Sequence, residues 1–385
     1  GRKSTYMYNL ALYTVGALIG AFAPNIEILF LGRLIVGIGL GGELNTGLTI
    51  VSEFIPTKQR GSSTAIVNIA AGGLGIFLSA ALAFAILGPL TPLFGGATLA
   101  WRWSLGILAL PALLLWFYRV YIPETPRYLL SHGQVDELNT VISQLESRTL
   151  RKSKLQQVKN YFTAGEGGDL KEKVNLGEIF AGSLLKRTLG LWIISFMTFG
   201  AQVAITTFLP TVLAAEGFTI INSLFYTMVI NTGGLVGAIV ASYLASQLGR
   251  RQVLGWGSLV AVVVAAIFAI SKSASLILII GALLQFMFIL LNTTTWLYAP
   301  ELYPTRIRAF GTGISVVVAL VGASIMPYIG GSIFGLWKAA GLLSMIVVMY
   351  LIMSLATWTL TVETKGKSLE DVSEVAIVPN EQTLA

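Results

Sequence analysis

Arg33 and Glu43 stand inside an apolar run, in a chain of which only 11% of residues are charged. An ionisable side chain at membrane depth is costly to keep, so a chain that keeps one has a use for it: a counter-charge, a proton or an anionic solute. Ten residues of helix put the two about 15 Å apart, so they do not pair with each other and each needs a partner elsewhere. The structural alternatives are that Arg33 snorkels to the outer interface and that Glu43 is a protonated hydrogen-bonder in helix packing. A second set of candidates is neutral. Gln285, Asn292 and Trp296 recur at spacings that place them on one helical stripe, and Gln202 and Thr206 are one helical turn apart. Amides, a hydroxyl and an aromatic surface on one inward face suit a small solute near the midplane. Used as interhelical hydrogen bonds instead, the same groups would contribute about 1 kcal/mol each.

A third set is charged and occurs twice. Glu53, Pro56, Arg60 and Gly61 read Glu-x-x-Pro-x-x-x-Arg-Gly, and Glu301, Pro304 and Arg308 repeat the first eight positions at an offset of 248 residues (301 minus 53). The same offset carries Gly1-Arg2 onto Gly249-Arg250, with Lys3 facing Arg251. Two landmarks in one register imply a duplicated unit, and in an apolar chain that points to a membrane transporter built of two halves. Helix-end charges are ordinarily just solvated, contributing about 0 to 1 kcal/mol per exposed pair. Their duplication argues for interhelical ion pairs that latch the halves on one side of the membrane.

The elements that must position these groups follow from composition. With 55% hydrophobic residues in 385 and a mean hydropathy of +0.78, the chain belongs in a bilayer, since soluble proteins carry about 25% charged residues. Apolar runs able to cross about 30 Å of hydrocarbon lie at 6–23, 29–52, 62–87, 103–120, 189–213, 224–245, 253–270, 276–298, 309–333 and 339–361. Alternating the short loops between faces places Arg2, Lys3, Lys58, Arg60, Arg250, Arg251, Arg306, Arg308, Lys365 and Lys367 on one side. Only Arg102, Lys272 and Lys338 fall on the other. By the positive-inside rule the repeated corners are cytoplasmic.

The expected organisation is all-α. A four-helix N-terminal bundle spans 1–121, a cytoplasmic linker 122–187, a six-helix C-terminal bundle 188–362 and a cytoplasmic tail 363–385. In the linker, Val135, Leu138, Val141, Ile142 and Leu145 have the spacing of a short amphipathic helix. In the repeat frame two spans precede the basic landmark of the second half and none precedes that of the first. The expectation is a twelve-helix protein of which ten helices are present and the first two missing.

Other chemistries find no support. The net charge of +7 sits in short segments between apolar runs and not in a groove interleaved with aromatics, so no nucleic-acid partner is expected. There is no cysteine, and the single histidine, His132, lies in the polar linker. Gly37-x-Gly39-x-Gly41 has no preceding strand, and Gly366-Lys367-Ser368 lacks the Walker glycine. No metal, cofactor or enzyme activity is expected.

At these residues the chain resembles the major facilitator superfamily, in its sugar-porter and metabolite:proton symporter branches. The marks are Gly1-Arg2-Lys3, Gly32-Arg33-x-x-x-Gly37-x-Gly39, Glu53-x-x-Pro56-x-x-x-Arg60-Gly61, Pro123-Glu124-Thr125-Pro126-Arg127, Leu248-Gly249-Arg250-Arg251, Glu301 to Arg308, and Glu363-Thr364-Lys365-Gly366. Gln247 stands where an acidic residue is usual. Gln202 and its neighbours replace the usual Gln-Gln-Leu-Ser-Gly run, and Asn292-Thr293-Thr294-Thr295-Trp296 lacks the Gly-Pro of sugar porters. Gly41-Gly42-Glu43 is more like the metabolite symporters of aromatic acids. The resemblance implies alternating access by a monomer in the plasma membrane, with proton symport of a small organic acid, a sugar as the nearest alternative and a non-transporting solute sensor as another. It further implies a coupling role for Arg33 with a carboxylate on the first of the twelve helices, one of the two expected to be missing here. Arg2, Glu53, Arg60, Glu124, Arg127, Arg250, Arg251, Glu301, Arg308 and Glu363 would form a cytoplasmic gating network.

Overall fold

A backbone in hydrocarbon has no water to bond, so it closes its hydrogen bonds within helices. The computed structural model describes residues 1–54, 66–67, 69–110, 114, 117–118, 121–147, 158–162, 176–215, 217–271, 273–304 and 307–365, and every regular element among them is helical. The α-helices are α1 (Arg2–Ala21), α2 (Ile26–Phe54), α3 (Ile76–Leu87), α4 (Ala97–Ile107), α5 (Pro126–Ser131), α6 (Val135–Glu146), α7 (Gly182–Ala215), α8 (Ile220–Leu248), α9 (Arg250–Ile270), α10 (Ala274–Tyr298) and α11 (Arg308–Leu360). A π-helical stretch, Ile69–Gly75, leads into α3.

Where the described residues cover them, most of the expected spans reappear as helices. Six segments among the described residues are long and apolar enough to cross a membrane: Ile69–Leu87, Leu184–Ala215, Ile221–Ala241, Arg250–Ile270, Ser275–Glu301 and Phe310–Leu360. The last holds two expected spans, because Lys338 breaks α11 with φ 55 and ψ −149. α1 and α2 lie on the expected spans 6–23 and 29–52. The span expected at 103–120 begins within α4, and much of its remainder lies outside the described residues.

The elements form two compact units, residues 1–67 with 85–172 and residues 68–84 with 173–385. In the first, α1 runs against α2, and α4 against α1. The α1/α2 contact is close because Gly39 has no side chain: a Cβ there would lie 2.6 Å from the Asn9 carbonyl oxygen and the Tyr13 nitrogen. Small residues at crossings are how membrane helices gain van der Waals contact. Arg102 of α4 donates to the carbonyls of Ala21 and Ala23 at 3.4 and 2.7 Å, satisfying the end of α1 with a cation.

In the second unit α7 packs on α11, α8 on α10, and α9 on both α10 and α11. Its core includes Leu191, Ile194, Leu254, Leu284, Phe288 and Tyr350. The outer face of α9 is equally apolar: Trp256, Val260, Val263 and Ile267 form an exposed stripe opposite buried Val253, Leu254, Ala261, Val264 and Ala265. A helix apolar on both faces is at home in lipid.

The linker's amphipathic helix is α6, with Leu138 and Val141 buried against Leu129 and Phe54, the last residue of α2. The other face of α6 carries Asn139, Ser143 and Glu146, which strap residues 158–162 along the helix. The Asn139 carboxamide accepts from the Tyr161 and Phe162 nitrogens at 3.0 Å each and donates to the Phe162 carbonyl at 3.0 Å. Ser143 Oγ accepts from the Lys159 nitrogen at 3.0 Å. Glu146 accepts from Lys159 Nζ at 2.9 Å and from the Tyr161 hydroxyl. These bonds, the Tyr161 one foremost, hold the Glu146 carboxyl below its ordinary range. Its contribution to the docked strap is therefore complete above the free carboxylate's pKa and is lost as pH falls through the depressed value. Replacing Asn139 with Ala should speed exchange of the Tyr161 and Phe162 amides by roughly tenfold. Hydrogen exchange with mass spectrometry reads this directly, and unchanged rates over 158–162 would contradict the strap.

Candidate functional site

Two local sites emerge from the predicted residues, one built on α7 and α10, the other at the charged corners. On α10, Gln285, Asn292 and Trp296 share the expected stripe; Gln285 and Asn292 are buried at 3% and 7% exposure. On α7, Gln202 is 7% exposed. The structure joins the two helices there, with Asn292 Nδ2 donating to Gln202 Oε1. Trp296 meets Phe199 of α7 edge to face, ring centroids 5.3 Å apart. The neighbouring threonines are spent locally, Thr294 and Thr295 returning their hydroxyls to the Leu290 and Leu291 carbonyls.

Thr206 and Gln285 face one small hollow, walled by Ile205, Leu209, Ile230, Phe268, Leu284 and Phe288. There the Thr206 hydroxyl oxygen and Gln285 Nε2 are buried with no hydrogen-bond partner among the described residues. A buried unsatisfied polar group costs about 1–3 kcal/mol. The four residues thus divide into an amide pair that ties α7 to α10 and two groups with bonding capacity left over.

In the first unit, Arg33 lies on α2 beside a hollow of ≈ 120 Å³ lined by Tyr13, Gly16, Val36, Leu40, Leu105 and their neighbours from α1, α2 and α4. Those walls hold no acidic residue, and Arg33 makes no ion pair among the described residues. Glu43 is also on α2, but its side chain lies outside the described residues.

The charged corners are built twice on one plan. At the start of α1, Arg2 Nη2 stands 3.4 Å from Glu53 Oε1 at the end of α2. At the start of α9, Arg250 Nη2 stands 2.9 Å from Glu301 Oε1, just past α10. A second glutamate then seats each helix start. Glu124 accepts from the Lys3 nitrogen at 3.1 Å and from its own neighbour Thr125 at 3.1 Å. Glu363 accepts from Thr364 at 3.0 Å and lies against Gly249, where a Cβ would come within 2.7 Å of its Oε2. Gly249, at φ 91, is the residue from which α9 starts. A carboxylate at a helix N-terminus meets the positive end of the helix dipole.

Both members of each pair belong to the same compact unit, so these bonds fasten helix ends within a bundle. Other predicted members make different contacts. Arg251 donates to the Thr357 and Trp358 carbonyls at 3.3 and 2.5 Å and covers the Trp358 ring. Arg308 Nε donates to the Tyr303 carbonyl at 3.4 Å. Arg60 and the Arg127 side chain lie outside the described residues.

Sequence reasoning missed three participants. Thr364 donates its hydroxyl to Glu301 Oε2 at 2.6 Å, extending the second corner. The Tyr298 hydroxyl donates to the Val362 carbonyl. Tyr303 is buried and donates to Thr188 Oγ1 at 3.3 Å, its phenol pushed up by burial. The equivalence of Glu124 with Glu363 falls outside the 248-residue register (301 minus 53), but both are followed by threonine. That shared Glu-Thr dipeptide was the available signal.

A multi-pass helical membrane protein with duplicated charged corners and buried amides in its bundle is the class this geometry defines: a membrane carrier. The sequence pattern described as Sugar (and other) transporter matches residues 1–376, and the chain belongs to that family. It is similar to the niacin transporter NiaP of Acinetobacter baylyi, at 28% identity over 97% of this chain and 81% of that one. It is also similar to the putative metabolite transport protein YdjK of Escherichia coli, at 26% identity over 98% and 81%. A solved structure of the proton:xylose symporter XylE, known from E. coli, matches with TM-score 0.73 and 18% identity over 98% of this chain and 83% of that one. That likeness establishes the major facilitator fold. The protein is a membrane transporter of metabolites in a family of transporters, not of enzymes.

The duplicated corners yield a direct test. Glu301→Gln keeps an acceptor for Thr364 and removes the charge facing Arg250. These pairs lie within one unit each, not between the halves as the latch expected from the sequence requires. The expected outcome is therefore faster hydrogen exchange at the start of α9, where the pair seats that helix on the end of α10; unchanged exchange there would show the pair to be idle.

Proposed function

We propose that the protein carries a small organic acid, aromatic acids foremost, across the plasma membrane by alternating access, in symport with protons and as a monomer. The charged corners, the linker and the C-terminal segment lie on the cytoplasmic side, where the excess of Lys and Arg in short loops puts them. The observation that carries the proposal is the buried amide and hydroxyl cluster of Gln202, Asn292, Gln285 and Thr206, in which the Thr206 hydroxyl and Gln285 Nε2 have no hydrogen-bond partner among the described residues.

Support for an acid comes from Arg33, a cation beside an apolar hollow that holds no carboxylate, and from the niacin transporter among the relatives, niacin being an aromatic acid. Arg33 and Glu43 are the candidates for binding the acid or passing the proton. Support for coupling comes from the likeness to XylE, a proton:xylose symporter. The same likeness favours a second reading, a pentose or hexose as the solute, because paired amides also suit sugar hydroxyls.

Uptake into proteoliposomes driven by a pH gradient, with a panel of aromatic acids, pentoses and hexoses, tests these readings. Acid-dependent accumulation of an aromatic acid is the expected result; accumulation of a sugar alone would replace the first reading with the second, and binding without flux would identify a sensor. Asn292→Ala and Gln202→Leu should each reduce uptake at least tenfold, an effect of about 1.4 kcal/mol or more on productive binding. A variant that lowers the melting temperature while leaving KM unchanged would assign the pair to helix packing alone.

A further inference from the structure

A separate cavity of ≈ 200 Å³ lies in the first unit where the end of α2, Tyr118 with Ile122 and Pro123, and the last turn of α6 meet. Its walls are apolar, from Phe54 and Ile50 on α2, Ile122, and Leu145 on α6. Leu145 is 48% exposed and stands at the mouth. Two polar groups interrupt this lining. Gln144 is only 8% exposed. The Tyr118 hydroxyl is buried and has no hydrogen-bond partner among the described residues. The Tyr118 ring is fixed by stacking on Tyr6, centroids 4.7 Å apart, so the hydroxyl cannot swing far to find a partner.

We propose that this cavity is a binding site for a neutral one-ring aromatic molecule bearing a single carbonyl or amide group. The site is independent of the α7/α10 cluster and of the Arg33 hollow. Size comes first: an apolar cavity of about 150 Å³ accepts benzene and stays dry without it. This one has room for the ring and one substituent. Polarity comes second. A buried hydroxyl without a partner is costly, and a carbonyl oxygen on the ligand would accept its proton. Gln144, also in the lining, can donate or accept. Charge comes third. The walls hold no charged residue, so nothing in the lining balances an anion, and an unpaired charge in an apolar site is costly where a neutral group is not. A molecule held here bridges α6 to the end of α2, beside the Arg2–Glu53 corner, and so would stiffen the seam between linker helix and bundle.

Benzamide is a suitable probe, benzoate its charged control. With the full chain in lipid nanodiscs, ligand-observed saturation-transfer NMR should show saturable benzamide binding, with benzoate at least tenfold weaker. Leu145→Trp, which plugs the mouth, and Ile50→Phe, which fills the cavity from the helix side, should each abolish the saturable component. Tyr118→Phe should weaken it by up to about tenfold, the loss of one hydrogen bond. Hydrogen exchange over α6 should slow when benzamide is added to the parent protein and not when it is added to either filled variant. A linear, non-saturable signal, or a saturable one equal in parent and filled variants, would mean partitioning into lipid or binding elsewhere and would overturn the proposal. Preferential binding of benzoate would overturn the charge argument and with it the ligand class.

Discussion

Charge has few places to go in this molecule, and where it goes shapes the rest. Hydrocarbon tolerates helices but not bare ions, so arginines and glutamates collect at helix ends, where Arg2 meets Glu53 and Arg250 meets Glu301. Each pair joins the first residues of one helix to the end of another, and each is completed by a glutamate set against the starting nitrogen atoms or glycine. Within the bundles the same scarcity of water acts on the amides. Asn292 and Gln202 meet across α7 and α10 and satisfy each other there.

Membrane spans were legible because they are long, apolar and punctuated by charge. The run around Lys338 could be divided there because a lone cation between two apolar stretches marks a loop, and the backbone does turn at that residue. The amphipathic linker helix was equally readable from Val135, Leu138, Val141, Ile142 and Leu145, but the partner of its apolar face was not. Nothing local in the sequence says that Leu138 reaches Phe54.

The site was legible as a set of residue types and not as a set of bonds. Spacing placed Gln285, Asn292 and Trp296 on one face, and Gln202 with Thr206 on another, since a helix has a fixed period. Which amide would find which depended on how α7 crosses α10, a tertiary fact set by packing along both helices. The split outcome, with Gln202 and Asn292 bonded while Thr206 and Gln285 retain unsatisfied atoms, has no counterpart in any local pattern. The strap along α6 escaped notice for a similar reason. Asn139, Ser143 and Glu146 look like an ordinary solvated face until a second segment, residues 158–162, lies down on it.

That strap also makes α6 a helix held on two sides. Leu138 and Val141 bury one face with Leu129 and Phe54, while Asn139, Ser143 and Glu146 bind residues 158–162 along the other. Fraying of α6 then requires both sets of contacts to open, so an amphipathic helix of twelve residues keeps its place at the end of α2 without crossing hydrocarbon.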